Sequence, residues 1–221
     1  NRMQEMLEDE YEAFLESYES EKYQALRLNP LKAGKQVFEE NTSFHLQKVP
    51  WTEDGYYYEK EDCPGKHPYH EAGVYYIQEP SAMAPAEYLE VKPGEHVLDL
   101  CAAPGGKSTQ LGAALQGEGI LVSNEINPAR AKILSENIER LGITNAIVTN
   151  ETPAHLMEHF PAYFDKILVD APCSGEGMFR KNETACTEWS LDNVAAWAKR
   201  QDEILDCAAA MLRPGGRLVY S

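Results

Sequence analysis

The chain is short of basic side chains. Its 20 Lys and Arg stand against 36 Asp and Glu, a formal net charge of −16 over 221 residues. That balance opposes a nucleic-acid partner held by bulk charge, because phosphate is usually met by a basic footprint. It leaves a local basic patch open, since part of the acid is gathered between Glu5 and Glu21, the solvated face of an expected helix. Cysteine is scarce and odd in number: positions 63, 101, 173, 186 and 207, with no CxxC pair. This argues against a disulfide framework and for reduced thiols in a cytoplasmic protein. No apolar run approaches a membrane span, no secretory leader is legible near Asn1, and no internal repeat or low-complexity tract interrupts the chain. The GxGxxG dinucleotide fingerprint is missing. Gly106-Lys107-Ser108 imitates the end of a phosphate loop, but the glycine required five positions earlier is Cys101, so that reading fails.

What is present is a core-forming composition, 43% apolar. Met3, Met6, Leu7, Tyr11, Phe14, Leu15 and Tyr18 fall at helical spacing on one stripe, and Arg27-Leu28-Asn29-Pro30 ends that pattern. From about Leu31 to Tyr76, short apolar runs mix with Pro, Gly and aromatics, which predicts short strands and loops. Ser81 to Leu89 reads as a helix. From His96 onward, strands alternate with longer amphipathic helices. The expected strands are 96–101, 119–125, 145–149, 165–171 and 216–221; the expected helices are 106–116, 127–141, 152–160 and 190–212. The pattern predicts an α/β fold, a doubly wound parallel sheet, with a small α+β module at 1–78 and the main domain at 79–221. Ligands bind beyond the carboxyl ends of such strands.

Three features sit at those ends. After the first strand, Cys101-Ala102-Ala103-Pro104-Gly105-Gly106-Lys107 supplies small residues for close backbone approach, free N–H groups at a helix start, and a cation. After the second strand, Glu125 is placed to accept both hydroxyls of an adenosine ribose, and Arg130, one helical turn on, can brace it. After the fourth strand, Asp170-Ala171-Pro172-Cys173 sets a carboxylate and a thiol at the rim of the same cleft. A thiol there suits methylation at C5 of a pyrimidine, a carbon that is not nucleophilic by itself. Thiolate addition at C6 makes C5 an enamine carbon, and a base later removes the C5 proton so that the thiolate can leave. Alone, a cysteine such as Cys173 reads more often than not as a small buried hydrophobe in a structural turn.

Residues Tyr69 to Ser221 resemble the NOL1/NOP2/Sun family of RNA 5-methylcytosine methyltransferases. The resemblance is carried by Tyr76-Ile77-Gln78-Glu79-Pro80-Ser81, by Asp99 to Lys107, by Asp170 to Gly175, and by Leu212 to Ser221. Arg27 to Lys32 is similar to the family's N-terminal arginine-asparagine motif, and the short N-terminal module is similar to the bacterial 16S ribosomal RNA branch. The resemblance implies a Rossmann-like class I methyltransferase sheet whose last strands are missing, leaving Leu218-Val219 on an edge. It implies S-adenosyl-L-methionine as cofactor, lined by Cys101 to Lys107, Glu125, Asp170 and Pro172. Lys107 and Asp170 would also face the target base, and Cys173 would resolve the covalent RNA adduct. The attacking cysteine would follow the position matching Ser221, so a chain ending there is expected to bind cofactor without turnover. Thr152 replaces an aspartate that would face the adenine; Glu151 or Asn150 beside it is the expected substitute. The implied partner is ribosomal RNA or the small ribosomal subunit, with no membrane, and the implied state is a monomer. A transfer-RNA substrate and an inactive cofactor-binding fragment are the alternatives.

Weaker groupings remain. Cys63, His67 and His70 lie close together but lack a fourth zinc ligand, so no metal is expected. Trp51 and Tyr56 to Tyr58 are able to stack bases, but aromatics in a small strand-rich module are more often its core. The polar stretch Asn182 to Trp189 reads as a connection or as a segment closing over RNA.

Overall fold

The computed structural model describes residues 2–19, 22–173 and 190–221. The expectations for Cys186 and for Asn182 to Trp189, and the Ser174-Gly175 end of the motif that begins at Asp170, fall outside the described residues.

The N-terminal part opens with α1 (Arg2–Leu7) and α2 (Tyr11–Glu19), joined by a 3-10 turn at Glu8–Glu10. One continuous helix was expected. Glu8 takes a positive φ of 43° and breaks the path, and α2 buries no residue. Next come β1 (Ala25–Leu28), α3 (Lys35–Asn41), β2 (Gln47–Lys48), β3 (Gly55–Tyr57), α4 (Pro68–Glu71) and β4 (Tyr75–Ile77). Two expectations are corrected here. Arg27 and Leu28 do not end a helix; they lie in a strand whose four residues are all buried. The segment 31–76 is not only strands and loops, because α3 and α4 are helices too short to show a period. The sheet is antiparallel in the order β2-β3-β1-β4. Its core is Leu26, Leu28, Phe38, Phe44, Tyr56 and Tyr75, which settles Tyr56 as a packing residue.

The second sheet follows α5 (Pro80–Leu89). Its elements are β5 (His96–Asp99), α6 (Gly106–Ala114), β6 (Ile120–Asn124), α7 (Pro128–Leu141), β7 (Ala146–Thr149), α8 (Pro153–His159), β8 (Phe164–Val169), α9 (Leu191–Met211) and β9 (Leu212–Tyr220). All four pairings are parallel, in the order β7-β6-β5-β8-β9. Alternation along the strands divides the core between two faces. Val97, Leu121 and Leu168 pack with Leu111, Leu134, Ile138 and Leu89. Leu98, Val122, Ile167 and Val169 pack with Leu156, Ile204, Ala208 and Met211. Helices α5, α6 and α7 thus cover one face and α8 and α9 the other. Strand β9 pairs only with β8 and forms an edge among the described residues.

Chain order places β6 and β7 on one side of β5 and β8 on the other. The crevice at this reversal, beyond the carboxyl ends of β5 and β8, is where ligands of doubly wound sheets sit. Buried polar contacts fix the small sheet against the large one. The Arg27 guanidinium donates to Thr109 Oγ1 of α6 at 2.8 Å. The Asn29 amide donates to the carbonyls of Gly73 at 2.9 Å and Leu141, the last residue of α7, at 2.8 Å.

Candidate active site

The loop after β5 is held open from several sides. Ala102 N–H donates to the Asn124 carbonyl at 2.8 Å. From α7, Arg130 Nη2 donates to the Ala103 carbonyl at 2.7 Å and Asn137 Nδ2 to the Pro104 carbonyl at 2.8 Å. Gly105 has φ of 115°, a conformation other residues rarely adopt, and an added Cβ would meet Leu134 Cδ1 at 3.2 Å and Asn137 Cβ at 3.3 Å. The first turn of α6 therefore starts abruptly at Gly106, close to the floor of the crevice.

Glu125 follows β6 and is only 3% exposed. Its Oε1 accepts the Asn127 N–H at 2.9 Å, and Arg130 Nη1 stands 3.5 Å from Oε2. Asn127 in turn caps α7, its Oδ1 accepting from the N–H groups of Ala129 and Arg130. Glu125 is thus a buried, pre-oriented carboxylate on the wall of a cavity of about 510 Å³. The same cavity is lined by Leu100, Cys101, Ala103 and Ile126, and by Asp170, Pro172 and Cys173 on the far side. Trp197, Arg200 and Ile204 of α9 close it.

Lys107 and Asp170 form the polar centre. Lys107 Nζ donates to Asp170 Oδ2 at 2.6 Å, and Ser221 Oγ donates to Oδ1 at 3.0 Å. Both residues border a smaller cavity of about 230 Å³, lined on its other side by Tyr76, Gln78 and Glu79, and Asp170 borders the larger one as well. Two buried acceptors beside it have no partner, Gln78 Oε1 and Asp99 Oδ1. The other Asp99 oxygen accepts from Ser108 Oγ at 2.6 Å. Burial pushes the Asp99 carboxyl up to about 7, against the Ser108 bond, which favours the ionised form. Burial, then the carboxylates of Asp99, Glu125 and Asp170, push the Cys101 thiol up to about 12, so Cys101 is inert as a nucleophile at neutral pH. Cys173, by contrast, is exposed at the rim.

The structure brings together most of the residues singled out from sequence. Cys101, Ala102, Ala103, Pro104, Gly106, Lys107, Glu125, Arg130, Asp170, Pro172 and Cys173 all line one cavity or the other. Gly105 lines neither and acts through the turn it permits. Glu151 also lines neither: its Oε2 lies 2.6 Å from His155 Nδ1. Thr152 caps α8 through the His155 N–H, and Asn150 Nδ2 donates to the Glu125 carbonyl at 2.6 Å. Sequence reasoning placed Asn127 at the start of a helix and Gln78 inside the Tyr76–Ser81 motif without giving either a role at the site, and it missed Trp197, which no local pattern marks. Of the weaker groupings, Cys63 Sγ donates to the Lys60 carbonyl and His67 Nδ1 accepts the Tyr69 N–H. Among the described residues no three His, Cys, Asp or Glu side chains gather as metal ligands. Trp51 donates its indole N–H to the Pro80 carbonyl at 2.9 Å. No helix among the described residues is long and apolar enough to cross a membrane.

Comparison with known proteins adds two family matches. Residues 86–221 match the family described as 16S rRNA methyltransferase RsmB/F, and residues 1–80 match the N-terminal domain of 16S rRNA methyltransferase RsmF. The ribosomal RNA small subunit methyltransferase F of Vibrio vulnificus (strain YJ016) is 40% identical over 205 residues, covering 89% of this chain and 43% of its own length. That of Enterobacter sp. (strain 638) is 39% identical over 220 residues, covering 96% of this chain and 46% of its own. The chain thus spans less than half the length of these curated relatives. Among solved structures, a methyltransferase homolog protein from Pyrococcus horikoshii superposes with a TM-score of 0.81 at 32% identity, covering 93% of this chain and 66% of that one.

Proposed function

The chain belongs to the 16S rRNA methyltransferase RsmB/F family, and from that premise we propose that its cleft binds S-adenosyl-L-methionine and serves methyl transfer to C5 of a cytosine in 16S ribosomal RNA. Its fold is the Rossmann-like class I methyltransferase fold with an N-terminal module. The observation that carries the proposal is the convergence on one crevice of the buried Glu125 carboxylate, the Lys107–Asp170 pair and the exposed Cys173 thiol.

The residues present suit the cofactor. Glu125 takes the ribose hydroxyls, and Leu100, Ile126 and Ile204 offer apolar surface to the adenosine. At the other end, the unpartnered Gln78 Oε1 and Asp99 Oδ1 are acceptors in want of a donor, which the ammonium of a methionyl group supplies. Bound there, the cofactor supplies an electrophilic methyl group. The chain's own residues orient and protect. Asp170, its oxygens held by Lys107 and Ser221, is set to accept from the exocyclic amine of the cytosine. Cys173, one residue beyond Pro172 on the rim, acts on release of the methylated base from its covalent adduct. The adenine contact is assigned to the cavity wall around Ile126 and Pro153, because Glu151 is turned to His155.

The test is to change Cys173→Ala in the whole protein and incubate it with 16S ribosomal RNA and cofactor. The proposal expects a covalent protein–RNA band on a denaturing gel, absent from the unchanged protein, and 5-methylcytosine in the RNA by bisulfite mapping. Absence of both the adduct and the methylated base removes the cytosine-5 assignment.

A further inference from the structure

The loop that carries Cys173 has a proline in the position where a backbone donor would normally anchor it. Pro172 has no N–H, so its carbonyl is the backbone handle left at that residue. That carbonyl is taken: Gln201 Nε2 of α9 donates to it at 2.9 Å. The same amide is fixed from behind, because Tyr220 Oη donates to Gln201 Oε1 at 2.9 Å. Tyr220 lies at the end of β9, immediately before Ser221. Ser221 holds the two preceding residues of the loop, its carbonyl accepting the Ala171 N–H at 3.0 Å and its Oγ donating to Asp170 Oδ1 at 3.0 Å. Asp170, Ala171 and Pro172 are therefore each tied to the β9–α9 side of the crevice, and Cys173 is the next residue along.

We infer that Gln201 and Tyr220 are positioning residues that set where the Cys173 thiol stands relative to the bound base. This rests on the reading of Cys173 given above. Without the Gln201 bond the Pro172 carbonyl loses its side-chain anchor, and Cys173 is freed from the geometry that Asp170 defines. Tyr220 acts one step back. It fixes which end of the Gln201 amide faces Pro172, since an amide with its oxygen toward a carbonyl would repel it. Gln201 itself lines neither cavity, so its loss is expected to spare the cofactor.

The test compares Gln201→Glu, Gln201→Met and Tyr220→Phe with Cys173→Ala in the whole protein, using 16S ribosomal RNA as the probe. The inference expects both Gln201 variants to accumulate covalent protein–RNA adduct at least five-fold above the unchanged protein. It expects turnover to fall about ten-fold while KM for S-adenosyl-L-methionine stays within about three-fold. Tyr220→Phe, an exposed position losing one hydroxyl, is expected to fall between and keeps the test open if the Gln201 variants fold poorly. Adduct with Cys173→Ala but none with the Gln201 and Tyr220 variants overturns the inference and leaves the function standing. Adduct with none of the four removes the role of Cys173, and the inference with it. A rise in KM matching the loss of turnover marks Gln201 as a structural support of the cofactor wall and also overturns it.

Discussion

Asp99 shows how one buried carboxyl ties the cleft to stability. It is 1% exposed, and its folded value is raised from the usual 3.8 to about 7, chiefly by burial. Between those two values the folded chain keeps a proton that the unfolded chain has lost. Its contribution to stability is therefore complete below about pH 4 and is lost as pH rises through about 7. Asp99→Asn removes that titration. Urea unfolding of both proteins between pH 4 and pH 8 is expected to show the variant gaining on the unchanged chain as pH rises. A pH-independent difference would mean that Asp99 is ionised throughout. Other single residues have equally local causes. Thr152 stands at a position where a capping hydroxyl satisfies the first turn of α8, so its side chain is spent on its own helix. Cys101 and Cys173 flank one cavity in different surroundings, because Cys101 is half-buried among carboxylates and Cys173 is exposed at the rim.

At the scale of elements, the contact between the two sheets combines apolar packing of Ala25 and Val49 on Met83 with buried side-chain hydrogen bonds. Asn29 bridges the carbonyls of Gly73 and Leu141, closing the end of α7 against the small sheet. Asn29→Ala leaves both carbonyls without that donor, and the cost is expected to be about 1–3 kcal/mol, the typical penalty for an unsatisfied buried polar group. Chemical denaturation reads it directly; a change below about 0.5 kcal/mol would show that the sheets are held by apolar packing instead. The parallel sheet was legible in the sequence almost strand by strand, because its strands are short apolar runs separated by helices long enough to show a period. The small sheet was not. The β2 strand is two residues long, β3 and β4 are three each, and β1 follows so soon after α2 that Arg27 and Leu28 read as a helix end. For the cleft, glycine and proline punctuation betrayed the loops at 101–106 and 170–173. Trp197 and Gln201 were invisible, since each reaches its place through tertiary packing with no local pattern to announce it, and Gln78 was legible only as a member of the Tyr76–Ser81 motif.

The whole molecule is a cleft shared by two sheets and closed by α9. Residues from β4, the β5 loop, the end of β6, the β8 loop and α9 meet there although Tyr76 and Ile204 lie 128 positions apart in sequence. Cofactor binding is the half of the proposal that this geometry addresses most directly, and Glu125 is the residue on which it turns. Calorimetric titration of the chain and of Glu125→Ala with S-adenosyl-L-methionine and with its demethylated product decides it. The account predicts one site per chain, weakened in the variant by about 1.5–3 kcal/mol, as expected for hydrogen bonds to a charged group. Equal affinity in both proteins, or no binding by a folded chain, would contradict it.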